Sequence, residues 1–96
     1  MNLAIVGATG LVGRKMLEII FERNLRFGSL RLFASNSSAG KTIKASNDAN
    51  FIVEELQENS FKNIDVALFS AGSEVSIKYV PIATEQKCIV IDNGSY

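Results

Sequence analysis

Histidine is absent from the 96 residues, and cysteine and proline occur once each. Without histidine the chain lacks the side chain that most readily exchanges a proton near neutral pH and most often ligates metal ions. No other grouping of residues offers catalysis or a metal site, so neither catalytic nor metal-binding residues are expected here. A lone cysteine rules out an internal disulfide and fits a reducing compartment. Charge of one sign is also missing: Lys and Arg number 10 and Asp and Glu number 10. A neutral chain draws neither nucleic acid nor an anionic membrane over long range. Lys41 and Lys44 read as a solvated edge rather than a nucleic-acid patch. No apolar run approaches the ~18 residues of a membrane helix. The run at 3–6 is too short for a signal peptide and meets glycine at once. What remains is one small soluble domain, expected in the cytoplasm. A domain of this size buries roughly 60–70% of the surface its unfolded chain exposes.

Apolar patterning supplies the elements. Residues 2–6, 30–34, 65–69 and 89–91 are short runs rich in branched side chains and read as buried strands. Residues 11–23 carry Val12, Met16, Ile19 and Ile20 at helical spacing, with Leu17 and Phe21 widening the stripe. Weak strands at 42–45 and 50–53 flank Ser46-Asn47-Asp48, a plausible hairpin. Residues 74–87 are helical by composition. Pro81 fits the first turn of a helix and not its middle, so a break is predicted near Tyr79-Val80. The order strand, helix, strand, hairpin, strand, helix, strand gives an α/β fold, a Rossmann-like mostly parallel sheet with flanking helices. The strand at 89–91 runs into Asp92-Asn93-Gly94-Ser95, with nothing following to cover it. Residues 1–96 are therefore expected to be a truncated piece of a longer protein. An uncovered strand of this kind favours association.

Gly7-Ala8-Thr9-Gly10-Leu11-Val12-Gly13 follows the first strand and opens the first helix, the context in which a glycine motif signals a dinucleotide. Gly7 permits a sharp turn, Gly10 lets backbone approach a pyrophosphate, and Gly13 lets helix and strand pack closely. The helix N-terminus offers N–H groups and partial positive charge to phosphate, and Thr9 can add a hydroxyl. The first two glycines are three apart, unlike G-x-G-x-x-G. An NAD site usually places a carboxylate about 20 residues on, against the ribose 2′-hydroxyl. Residues 23–47 contain no Asp or Glu. Instead the second strand ends in Ser35-Asn36-Ser37-Ser38-Ala39-Gly40, followed by Lys41 and Lys44. Hydroxyls with nearby ammonium groups suit a 2′-phosphate, so the expected cofactor is NADP.

Four blocks in register carry a resemblance over the whole chain. They are residues 4–13, residues 30–35 with Ser38-Ala39-Gly40-Lys41, residues 65–72, and Val90-Ile91-Asp92-Asn93. Together they resemble aspartate-semialdehyde dehydrogenase. The resemblance implies NADPH-dependent conversion of aspartyl phosphate to the semialdehyde, which feeds lysine, threonine and methionine synthesis. It also implies that Thr9, Gly10, Leu11 and Val12 line the pyrophosphate, and that Ser35 and Ser38 hold the 2′-phosphate. Ser70, Ala71 and Gly72 would pass beside the adenosine ribose and pyrophosphate, and Asn93 would approach the nicotinamide. Gly7, Gly13 and Ser37 complete the implied cofactor-binding set. Family members often carry Arg where Ser37 stands, and two serines where Gly94-Ser95 stands.

The family's chemistry needs a nucleophilic cysteine, a histidine and substrate-binding arginines. Cys88 opens a strand and reads as a small core residue, and Asp92 as a structural carboxylate. This stretch alone is thus expected to be inactive. The resemblance implies that residues 1–96 are an incomplete NAD(P)-binding Rossmann-like domain, the N-terminal part of a longer enzyme truncated before its catalytic and dimerisation domain, and that the full-length protein is a homodimer or homotetramer acting on a small-molecule substrate. Two alternatives stand beside it: an N-acetyl-glutamyl-phosphate reductase-like enzyme, and a non-catalytic nucleotide-binding module. The pattern Ala34-Ser35-x-x-Ser38-Ala39-Gly40 after the second strand favours the dehydrogenase over the reductase, and a downstream Asn-Cys motif with a later histidine would separate an enzyme from the module.

Overall fold

The computed structural model describes residues 1–45 and 48–92. Ser46 and Asn47, expected at the hairpin tip, lie outside the described residues, as do Asn93, Gly94, Ser95 and Tyr96. The elements are β1 (Asn2–Val6), α1 (Leu11–Glu22), β2 (Ser29–Ala34), β3 (Thr42–Lys44), β4 (Asn50–Ile52), β5 (Glu54–Glu55), β6 (Val66–Phe69), α2 (Ser73–Glu85) and β7 (Ile89–Asp92). Single 3-10 turns at Asn36–Ser38 and Glu58–Phe61 complete the set. The main sheet runs β5-β2-β1-β6-β7, and every neighbouring pair in it is parallel. β3 and β4 form the expected antiparallel hairpin apart from it.

Strand alternation sorts the core into two layers. Leu3 and Ile5 of β1 join Leu30 and Leu32 of β2 on the α1 side, where Leu17 and Ile20 pack against them. Ala4, Val6, Phe33, Ala67 and Phe69 face the α2 side, with Phe61 and Ala83. Strands covered on both faces read as apolar runs, which is why β1 and β6 were legible, and β2 as well apart from its half-exposed Arg31.

Three expectations are corrected. The inward face of α1 is Gly13, Leu17 and Ile20, whereas Val12 and Ile19 are 44% and 37% exposed. Close packing of Gly13 on the β1 turn fixes the helix's rotation and turns Val12 and Ile19 outward. The predicted break near Tyr79-Val80 is absent, and α2 runs through Pro81. Pro81 lies on the exposed face, and Ile77, whose carbonyl loses its partner four residues on, is 74% exposed. Water can satisfy a carbonyl there, so the helix survives the missing N–H. Finally, β7 is not buried: Ile89 and Ile91 are 64% and 53% exposed. α2 covers only the opposite side of this edge strand, where Cys88 and Val90 sit.

Candidate functional site

Strand order places the site. From β1 the chain passes to β2 on one side and later crosses to β6 on the other. In open parallel sheets ligands bind outside the strand C-termini at such a reversal. A cleft of about 500 Å³ opens there, lined by Gly7, Thr9 and Gly10 after β1, Ser35 and Asn36 after β2, and Ser70 and Ala71 after β6.

The turn is fixed by backbone. Gly7 and Ala8 N–H groups both donate to the Phe33 carbonyl (2.8 and 3.2 Å), and Gly10 N–H donates to the Gly7 carbonyl (3.2 Å). Gly7 has φ +86°, and a Cβ there would lie 2.9 Å from Ala71 Cα. A Cβ at Gly13 would overlap the Gly7 carbonyl oxygen. These two glycines are therefore demanded by packing. Gly10 is different: its φ is −78°, and its Cβ would meet only the Gly7 oxygen at an ordinary 3.6 Å. Nothing among the described residues requires glycine at position 10. It is the N-cap of α1 and makes no side-chain cap bond. The N–H groups of Leu11, Val12 and Gly13 have no acceptor within the helix, so they remain available at a positive helix end.

Hydroxyl groups gather beside this end. Thr9 Oγ1 donates to Ser38 Oγ at 3.5 Å, and Ser35 Oγ and Ser37 Oγ share a bond of 3.0 Å. Ser70 also holds the fold together here, because its hydroxyl donates to the Val6 and Gly7 carbonyls (3.2 and 3.4 Å) and ties β6 to the turn. Gly72 is the N-cap of α2, with φ +91°. Leu11 and Val12 direct their side chains to solvent. Asn93 lies outside the described residues. Ammonium groups around the serine loop need a correction. Lys44 pairs with Asp48 at 3.5 Å and lines a separate depression with Arg14 and Glu18. Lys41 follows the loop directly, and its backbone N–H donates to the Ser38 carbonyl at 3.3 Å.

The cleft's described lining carries no charged side chain. Sequence reasoning missed the apolar half of that lining: Ala34, Leu56, Val75 and Tyr79. Val75 and Tyr79 are four apart on one helix face, a signal hidden by the expected break. Leu56 follows a two-residue strand with no periodicity to betray it. That strand is held by Arg31, whose guanidinium donates twice to Glu54, at 3.0 and 2.6 Å. The pair holds the Glu54 carboxyl below the usual carboxylate range, against the opposing effect of its own burial. Burial pushes the Cys88 thiol up, away from a reactive thiolate. Among the described residues no group of His, Cys, Asp and Glu could hold a metal, and no helix is long and apolar enough to cross a membrane.

Comparison with known proteins agrees with this geometry. The profile of the semialdehyde dehydrogenase NAD-binding domain matches residues 2–96. The chain is 44% identical over 95 residues to aspartate-semialdehyde dehydrogenase of Rickettsia bellii, covering 99% of itself and 28% of that protein. It is 46% identical to the Legionella pneumophila enzyme of that name, covering 99% of itself and 27% of the relative. The structure of aspartate semialdehyde dehydrogenase II from Vibrio cholerae superimposes with a TM-score of 0.90 at 46% identity, covering 98% of this chain and 30% of that one. The chain thus spans under a third of the length of these relatives. It belongs to the semialdehyde dehydrogenase family, and the part it represents is that family's NAD-binding domain.

Proposed function

We propose that residues 1–96 form the NADP-binding part of an aspartate-semialdehyde dehydrogenase. The observation that carries the reading is Gly10, a glycine at the mouth of the cleft that the fold itself does not need. Its missing side chain leaves room for a pyrophosphate against the free N–H groups of Leu11, Val12 and Gly13. Gly7 and Gly13 hold the turn in shape. Thr9, Ser35, Ser37 and Ser38 offer hydroxyls to the 2′-phosphate. Ser70, Ala71 and Gly72 flank the adenosine ribose and pyrophosphate, and Asn93 takes the nicotinamide side. Preference for NADP over NAD is supported by the acid-free stretch at residues 23–47.

When bound, the cofactor supplies the hydride that reduces aspartyl phosphate to the semialdehyde with release of phosphate. In this scheme the described residues bind and orient it. Nucleophile, proton donor and substrate clamp come from elsewhere in a longer protein, since Cys88 is buried and the chain has no histidine. The setting is cytoplasmic biosynthesis of lysine, threonine and methionine, in a homodimer or homotetramer. Titration calorimetry with NADP and NAD tests the cofactor assignment: tighter NADP binding is expected, and clearly tighter NAD binding overturns it. The 96 residues alone should form no NADPH from semialdehyde and phosphate; measurable turnover would show that they hold the reacting groups.

A further inference from the structure

Both ends of the serine loop are tied to one short strip of chain, residues 53–56. Gly40 N–H donates to the Val53 carbonyl and Val53 N–H to the Lys41 carbonyl, both at 2.8 Å. At the other end Leu56 N–H donates to the carbonyl of Ala34, the residue before Ser35, at 2.9 Å. Between these anchors lies β5, which is two residues long and sits at the sheet edge, with Glu54 opposite Phe33 and Glu55 opposite Ala34 of β2. Strands usually run to about five or six residues, so backbone pairing alone holds this strip weakly. A side-chain clamp supplements it. The Arg31 guanidinium on β2 donates to both carboxylate oxygens of Glu54, at 3.0 and 2.6 Å. Its Cζ lies 5.1 Å from the centroid of the buried Phe33 ring, which fixes the guanidinium from a second direction. A bidentate pair sets direction as well as distance. Neither residue is among the described ones lining the cleft; both line a separate polar depression of about 380 Å³.

We infer that Arg31 and Glu54 are positioning residues for the loop that reads the 2′-phosphate, and that they set the preference for NADP over NAD without touching either. The inference rests on the NADP reading above. Ser35, Ser37 and Ser38 lie between the two anchors, so a shift of β5 along β2 moves their hydroxyls together. Within the loop the Ser38 and Ala39 N–H groups donate to the Ser35 carbonyl (3.0 and 3.1 Å), which makes it a compact unit. Its hydroxyl contact to the glycine turn, Thr9 to Ser38, is long at 3.5 Å. The strip, more than the turn, therefore sets where the loop stands. A loop already held in its binding geometry loses less freedom when the ligand arrives. NAD carries a hydroxyl where NADP carries the phosphate, so loosening the loop weakens NADP and spares NAD. Both side chains of the pair are 42% exposed. It can pass to the loop no more than an exposed ion pair contributes, which is about fivefold in affinity.

Titration of Glu54→Gln, Arg31→Gln and the double variant of the full chain with NADP and with NAD tests this. Each single variant should bind NADP about three- to fivefold more weakly and NAD as before. The double variant should lose no more than either single one, because both changes break the same clamp. A general loss of stability would instead weaken the two dinucleotides alike. Amide hydrogen exchange is the second measurement. In Glu54→Gln the Gly40 and Val53 amides should exchange faster, by a larger factor than those of β1 and β6. An unchanged ratio of NADP to NAD affinity in the folded variants, or unchanged exchange at Gly40 and Val53, overturns the positioning role and leaves the NADP reading standing. An unmodified protein that binds NAD as tightly as NADP overturns both.

Discussion

Replacing Gly13 and Gly10 by alanine, one at a time, should separate folding from binding within a single turn. In an unconstrained helix interior the Gly13 change would stabilise by about 1 kcal/mol, because glycine loses more backbone freedom on folding. At Gly13 the new Cβ would overlap the Gly7 carbonyl oxygen and lie 2.8 Å from Ala8 Cα. Both obstacles are backbone, so no side chain can swing aside and α1 must move off β1. Overpacking of this kind costs about 1–3 kcal/mol and sometimes more. With obstruction on backbone atoms the upper end applies, and the net loss after the propensity gain is about 2 kcal/mol. That lowers the melting temperature by roughly 8–16 °C for a domain of this size. At Gly10 the Cβ meets one oxygen at 3.6 Å. Only the weaker N-cap preference of alanine is felt, at most about 1 kcal/mol. Binding behaves in the opposite way: the Gly10 methyl occupies the approach to the helix N-terminus and should weaken NADP roughly tenfold or more, the loss of a charge-assisted hydrogen bond. Calorimetric melting and NADP titration of both variants give the four numbers. A Gly13→Ala protein that melts higher than the parent, or a Gly10→Ala protein that binds as well as the parent, would refute the division of labour.

Pro81→Ala should stabilise the protein by about 1–3 kcal/mol, because it restores an N–H inside α2 and removes the ring from the turn; a lower urea midpoint would count against an unbroken helix there. Glu54→Gln should cost about 0.5–1 kcal/mol, since both partners of the Arg31 pair are 42% exposed. Glu54 has a lowered folded-state pKa. Its contribution is therefore present above the unfolded value of about 4.3 and lost as pH falls through the lower folded value. The Gln variant should show a shallower acid limb in that window, and an identical limb would contradict the pairing. Cys88, buried and with a raised pKa, should react slowly with a disulfide reagent at pH 8 in the folded protein and fast in denaturant; rapid native labelling would place the thiol at the surface.

Much of this architecture was legible because it rests on local rules. Residues 3–6 and 66–69 alternate between two buried layers, so they read as continuous apolar runs, and the glycine turn declares itself by its position between strand and helix. What escaped depends on distant contacts. The phase of α1 is set by Gly13 against Gly7, and periodicity alone cannot see that contact. Pro81 is tolerated because its turn faces water, a fact of tertiary placement. Ile89 and Ile91 resemble core residues but occupy an edge whose second face α2 does not reach. In the site, the polar lining at Gly7, Thr9, Gly10, Ser35 and Ser70 was legible from the glycine motif and from the turns that follow the strands. The apolar walls did not, because Leu56 and Tyr79 meet only once the sheet brings residues 34, 56, 75 and 79 together.

Amide chemical shifts recorded during an NADP titration test the central claim most directly. A saturable change is expected at Thr9 through Gly13 and at Ser35 through Ser38, with the exposed residues of the second depression, Glu18 and Lys44, unmoved. Saturable shifts confined to that second depression, or no shifts at millimolar NADP and NAD, would contradict a dinucleotide site at the β1 turn.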